Sequence, residues 1–204
     1  AFTPARPKTI KTSYAYVKAA VDKGGVDKSQ MFNGACSGGG GNCNLKGGIV
    51  HGVYLHTGTV TLRGGGTFSF PAGQDYVFLI NGNLNINTNI DVPPGSTVMF
   101  IVSGNITIDP SVARIEGIFS ADDNFTITPG GNNNPLVVEG SVIANAGYDT
   151  SGTRKITNGR DLDTFNNTCP AFRVVARPDF ILNGPELLRY PVSITSEVAP
   201  QGGN

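Results

Sequence analysis

Four nine-residue segments of the chain can be laid on top of one another: YLHTGTVTL (54–62), FLINGNLNI (78–86), FIVSGNITI (100–108) and FSADDNFTI (119–127). Their last four positions match in kind, and the first three carry a glycine just before them. Position 59 thus recurs at 83, 105 and 124. A second register agrees, since GIFSAD (117–122) and GSVIAN (140–145) also align. Further on, VVARPDFIL (174–182) resembles SADDNFTI and places Asp179 in the asparagine column. A repeat near 22 residues, built of short β runs and turns, is the signature of coils that stack and bury one shared core. The leucine-rich LxxLxL pattern is missing, and propeller blades are about twice as long. The expected fold is therefore all-β: a right-handed parallel β-solenoid (β-helix) with coils of about 22 residues and an N-terminal helical cap. The right hand rests on the bias of parallel β crossovers. An antiparallel sandwich with similar strands is the alternative.

Strand alternation assigns the sides of each coil. Val60 and Leu62, Leu84 and Ile86, Ile106 and Ile108, Phe125 and Ile127 are expected to point inward. Their neighbours Thr59 and Thr61, Asn83 and Asn85, Asn105 and Thr107, Asn124 and Thr126 then face outward in two parallel columns. These eight residues are the candidate ligand-binding face. Asn83, Asn105 and Asn124 have an alternative use, turning toward neighbouring coils as a ladder of amide hydrogen bonds. The sequons Asn105-Ile-Thr and Asn124-Phe-Thr follow from that architecture, whereas Asn166-Asn-Thr falls in a separate loop.

Residues 1–48 read as an N-terminal arm, a helix and a cysteine loop that together cap the stack, and residues 49–204 as the solenoid. Thr12 or Ser13 offers a helix N-cap and Gly24 a C-cap, with Tyr14, Val17 and Val21 on one face able to cover the first coil. Residues 148–172 break the repeat as a long insertion. After the last coil comes a capping tail, 185–204, in which YPVSITSEV alternates as an added strand would. That strand is expected to close its own coil or to serve homotypic assembly. The chain begins at Ala1 and reads as a processed product or an excised segment.

Only 15% of the residues are charged, and the 15 basic residues balance the 15 acidic ones, so there is no basic footprint for nucleic acid. The longest apolar runs, YVFLI (76–80) and VMFIV (98–102), are far too short to span a bilayer. Cys36 and Cys43 flank the flexible loop SGGGGN and are expected to form a disulfide, which with the low charge points to an extracellular or cell-surface location. Reduced thiols in a cytosolic protein are the alternative, and Cys169 is left over. No CxxC or Cys/His cluster suggests zinc, and no metal or other cofactor is expected.

Enzymes that cut polysaccharides on β-helices use clustered carboxylates. Asp122-Asp123 is the candidate, at a position aligned with the turn Ser103-Gly104, where aspartates are usually solvated. The Gly-His-Gly and Arg-x-Lys elements of polygalacturonases are missing. His51 and His56 precede the first full coil with no nucleophile motif beside them, and His56 occupies the column of Ile80 and Val102 as a packed or end-of-stack histidine. Asp161, Asp163 and Asn166 form an oxygen-rich loop without EF-hand spacing, read as solvated in preference to calcium-binding. No catalytic residue is assigned, and an enzyme is not expected.

INGNLNI, VSGNITI, GIFSADDNFTI and the closing RPDFILNGPELL resemble poorly characterised bacterial cell-surface β-solenoid domains over roughly residues 76–190. That resemblance implies a place outside the cell, as part of a larger protein, without established catalysis. GIFSADDNFTI and the helix around Tyr14 to Val21 are also similar to the microbial ice-binding β-solenoid family, in which a helix lies alongside the coils after the first strands; here it precedes them. Together these readings imply a structural, adhesion or scaffold module of a bacterial surface. The alternatives are an ice-binding protein or a carbohydrate-binding module using the Thr/Asn face, then a polysaccharide-active enzyme. Expected partners are surface glycans, ice or other surface proteins.

Overall fold

The computed structural model describes residues 12–24, 36–37, 41–46, 48–130, 134–147, 153–163, 165 and 168–182. Helix α1 (Tyr14–Lys23) comes first, its N-cap Ser13 accepting a hydrogen bond from the Tyr16 N–H. The strands follow as β1 (Cys36–Ser37), β2 (Asn42–Leu45), β3 (Gly52–Thr57), β4 (Val60–Ser69), β5 (Asp75–Asn81), β6 (Leu84–Asp91) and β7 (Thr97–Val102). They continue with β8 (Ile106–Ile108), β9 (Arg114–Ala121), β10 (Phe125–Ile127), β11 (Leu136–Ile143), β12 (Ile156–Asn158) and β13 (Phe172–Val175), and a short helix α2 (Pro178–Leu182) closes the described chain. Apart from the β1–β2 hairpin, the pairings among the described strands are parallel. The protein is a β-solenoid with coils of about 23 residues and about four turns.

The coils have three faces. On the first, β3, β5, β7 and the far ends of β9 and β11 stack, with Val53, Val77, Met99, Ile118 and Ser141 in one column. On the second, β2, the beginnings of β4 and β6, and then β8, β10 and β12 stack, with Asn42, Thr61, Asn85, Thr107, Thr126 and Thr157 in one column. On the third, Phe68, Ile90, Ile115, Val138 and Val174 align through the ends of β4 and β6, the start of β9, and β11 and β13. The register of the second face is the register of the sequence repeat: Val60, Leu84, Ile106 and Phe125 form one buried column, and Leu62, Ile86, Ile108 and Ile127 the next.

The interior is a continuous apolar column. Tyr54, Phe78, Phe100 and Phe119, the first letters of the four repeats, stack with ring centroids 5.1, 4.8 and 5.5 Å apart and nearly parallel planes. Gly117 and Gly140 pair at the corner between the third and first faces with φ of 140° and 138°. A Cβ on Gly140 would lie 2.0 Å from the Gly117 carbonyl oxygen, so both the backbone angle and the space require glycine there.

Four expectations are corrected. Helix α1 does not cover the first coil end-on. It lies along the first face, where Val17 and Val21 pack with Val53, Val77, Leu79, Met99 and Ile101 of three successive coils. The reason is that β5 and β7 are apolar on both sides, and their outward residues need a cover. Residues 42–45, placed before the solenoid by the sequence reading, already form a rung of its second face through β2, so residue 48 does not separate cap from solenoid. The supposed insertion supplies the next rung of that face, with Ile156 opposite Phe125. Finally, Asp179 is in no asparagine column. Pro178 opens α2, and Asp179 pairs instead with Arg177. The arm 1–8, Asn166 and the tail 185–204 lie outside the described residues.

Candidate functional site

The two outward columns of the second face do different things. Asn83 Oδ1 accepts the Asn105 backbone N–H at 2.9 Å and its side-chain amide at 3.4 Å. Asn105 Oδ1 in turn accepts the Asn124 backbone and side-chain N–H groups at 3.1 and 3.0 Å. Asn124 Oδ1 takes the Lys155 N–H at 2.9 Å. These three asparagines form an amide ladder along the stack, which consumes the oxygens that a ligand would need. A glycine must precede Asn105, because a Cβ on Gly104 would lie 2.3 Å from Asn83 Oδ1. Asn105 and Asn124, the two repeat sequons, are therefore ladder residues.

The other column remains available. Thr61, Asn85, Thr107 and Thr126 are half-buried, Thr157 is exposed, and each lies one rung, about 4.8 Å, from the next. Asn85 Nδ2 donates to Thr61 Oγ1 at 3.3 Å. Thr59, the last of the eight expected residues, is exposed at the turn before β4. Beside this column Thr61, Arg63, Asn85, Asn87, Thr107, Asp109, Pro110 and Thr128 line a shallow, mostly polar depression of about 380 Å³. Arg63, rung partner of Asn44 and Asn87, is exposed and makes no ion pair among the described residues. The strands position these groups by alternation alone: isoleucine and leucine anchor each rung inward, and the residues between them must point out.

The remaining candidates from the sequence are occupied elsewhere. Asp122 and Asp123 do sit at the turn, bonded through their N–H groups to Val102 and Gly104 carbonyls. They are tied to neighbours rather than merely solvated: Asp122 Oδ1 accepts the Tyr14 N–H at 3.0 Å, and Asp123 pairs with Arg154 at 3.0 Å. Burial pushes the Asp122 carboxyl up, with the Tyr14 hydrogen bond working against it. A folded value above the unfolded one means that ionising Asp122 costs stability, so this contribution is lost as pH rises from the ordinary aspartate range through the raised value. Asp122→Asn keeps an oxygen for Tyr14 and removes the charge. Its melting temperature is expected to equal or exceed that of the wild type at pH 7 and to vary less between pH 4 and 7; a lower melting point at pH 7 would contradict this account.

His56 pairs with Ile80 at the first-coil edge of the first face, and His51 lies in the exposed turn before β3. Cys36 and Cys43 form a disulfide across the β1–β2 hairpin, with Cys43 buried beneath the first full rung; Cys169 is an exposed free cysteine. Asp161 and Asp163 are exposed, the carboxylate of the first accepting the N–H of the second, and no metal-binding group of three His, Cys, Asp or Glu occurs among the described residues.

Sequence reasoning missed a charged column on the third face. The register that pairs Ile90 with Ile115 and Glu116 with Glu139 places Asp91, Glu116 and Glu139 on successive rungs. Their spacing repeats the coil length, a signal present in the sequence. Glu116 is buried, and its two oxygens lie 2.5 Å from Arg114 and 2.7 Å from Arg177. Burial pushes its carboxyl up, against the pull of the Val92 N–H and Arg114. Arg160 was also missed: its buried guanidinium donates to the Asn134, Asp109 and Val112 carbonyls at 2.8, 3.0 and 2.5 Å, pinning the corner of the stack. Both groups are closed over by the fold. No family model, curated protein or solved structure matches the chain.

Proposed function

We propose that the chain is a non-catalytic extracellular module of a surface, serving adhesion or scaffolding, which engages an extended, hydroxyl-rich partner through its threonine face. The observation behind this reading is the in-register column Thr61, Asn85, Thr107, Thr126 and Thr157, set beside a polar groove. Of the three faces, the first is overlaid by α1, and the third is closed around Glu116 by Arg177. The second carries short hydroxyl and amide groups that both donate and accept, the chemistry a sugar polymer offers in return. The asparagine ladder supports the reading by holding these rungs at fixed spacing, so little order must be created on binding. Asp122 and Asp123, the paired acids that a hydrolase would use, are engaged with α1 and Arg154. The Cys36–Cys43 disulfide and the low charge favour an oxidising, extracellular setting.

Cosedimentation with insoluble polysaccharides is the direct test. Binding that Thr107→Tyr abolishes is the expected result, since a ring at position 107 would fill the groove; failure to bind any polysaccharide would sink the reading. A second reading, ice binding, is favoured by three consecutive threonine rungs, Thr107, Thr126 and Thr157. A face that orders water produces thermal hysteresis and shapes ice crystals, and Thr107→Tyr removes both effects. Ice growth unchanged by the wild-type protein excludes that second reading.

A further inference from the structure

The chain carries 15 basic and 15 acidic residues, and among the described ones the acids of the third face are paired while three cations on or beside the second face are not. Along the third face the acids stand in register at Asp91, Glu116 and Glu139, tied to Arg114 and Arg177. On the second face and its rim stand Lys46, two residues beyond the Asn44 rung partner of Arg63, then Arg63 itself, and Lys155 at the far end of the ladder. All three are exposed, and none makes an ion pair among the described residues. The one acid in the groove, Asp109, carries a negative charge but stands two rungs, about 10 Å, from Arg63 and turns its Oδ1 to the Ser111 N–H at 2.9 Å and the Ser111 hydroxyl at 2.6 Å.

We infer that the groove beside the threonine column binds a carboxylated polysaccharide, with a uronate carboxylate on Arg63 and ring hydroxyls on Thr61, Asn85, Asn87 and Thr107. This rests on the reading of the threonine face as the binding face. The planar guanidinium presents two parallel donors that fit a carboxylate. The polymer runs along the stack, because the rung spacing of about 4.8 Å is close to the length of one sugar ring along its chain. Arg63 at the groove and Lys155 on the ladder edge of the same face, four rungs further along the stack, suit a polymer better than a single sugar. An acidic peptide fits less well. The strands of this face are hydrogen-bonded on both sides from β4 to β10, which leaves no free edge to add to, and the groove has no apolar pocket for alternate side chains. No aromatic residue lines the groove for nucleobases to stack on.

The test is titration of the full, disulfide-intact chain with polygalacturonate, with dextran, dextran sulfate and polyglutamate as comparisons. Polygalacturonate is expected to bind most tightly of the four, and added salt to weaken it. Arg63→Gln should lower the affinity about tenfold, the worth of a charge-assisted hydrogen bond. Arg63→Lys should recover part of the loss. Arg63 is exposed, so an unchanged melting curve certifies that both variants are folded. Unchanged affinity in Arg63→Gln overturns the inference, and so does tighter binding of dextran sulfate or polyglutamate. Equal binding of dextran also overturns it but leaves the threonine face as a neutral-glycan surface. Binding of none of the four overturns the inference, and insoluble polysaccharides then decide the broader reading separately.

Discussion

Ile106→Asp is expected to abolish cooperative folding or to remove most of the protein's stability. Ile106 lies between Leu84 and Phe125 in the inward column of the second face and is fully buried. Aspartate at that position would place a carboxylate in an apolar column with no cation to pair it, or force protonation at a comparable cost. A loss of about 5 kcal/mol or more is the scale for such a change, against a total stability of roughly 5–15 kcal/mol. Two neighbours serve as controls. Ile106→Val should cost only about 1 kcal/mol. Thr107→Asp, one residue further and pointing outward, should stay within about 0.5 kcal/mol of the wild type. Urea unfolding of the three variants measures the alternation directly, and near wild-type stability of Ile106→Asp would contradict the coil register.

That register could be read from the sequence because each rung repeats one requirement. A residue at the inward position must be large and apolar, and on the three middle rungs the ladder position carries an amide, in Asn83, Asn105 and Asn124. Where both recur together, as in GNLNI and GNITI, the pairing of Leu84 with Ile106 follows before any coordinates are known. The same logic explains the failures. ARPDFIL matches the repeat in residue kind, but Pro178 suits the first turn of a helix, and the Arg177–Asp179 pair favours that turn. The rung at β12 was hidden because 31 residues separate Phe125 from Ile156, while the earlier rungs recur at 24, 22 and 19. Helical periodicity revealed that Val17 and Val21 are covered, but not by what. A clue lay in the runs YVFLI and VMFIV, which are apolar at successive positions rather than alternate ones; such strands are buried on both sides, and something outside the coil must cover them.

The candidate site was legible to a similar degree. Alternation placed Thr61, Asn85, Thr107 and Thr126 outside, as the structure has them, and the two possible uses of Asn83, Asn105 and Asn124 were both visible in the pattern. Choosing between those uses needed the distance between neighbouring coils, which no single sequence contains. The groove was not visible at all. Its wall comes from Arg63, Asn87 and Asp109, which lie just past the repeated segments, where the corner between the second and third faces begins.

Glu116→Ala is expected to cost about 2–3 kcal/mol, the scale for removing a buried, charged hydrogen-bond acceptor from its donors. The carboxylate links parts of the chain that are far apart in sequence. Its Oε2 accepts the Val92 N–H at 3.1 Å and an Arg177 N–H at 2.7 Å, while Oε1 lies against Arg114. Arg177 also reaches the Val92 carbonyl, pairs with Asp179 and stacks 4.3 Å over the ring of Phe180, whose side chain is part of the core. Alanine would leave the buried Val92 N–H without its acceptor and two guanidinium groups without the charge between them. Arg114 keeps Glu139 and Arg177 keeps Asp179, so the loss should loosen α2 and Phe180 before the coils themselves. Hydrogen exchange of the amides of α2 should therefore accelerate more than that of β5 and β7. Glu116→Gln retains an acceptor for Val92 and should fall between wild type and alanine. The double variant Glu116→Met, Arg177→Met removes both members of the pair and strands only the more exposed Asp179, so it should lose less than the two single variants together. Additive losses would mean that Glu116 and Arg177 act independently, and that Phe180 alone holds the end of the stack.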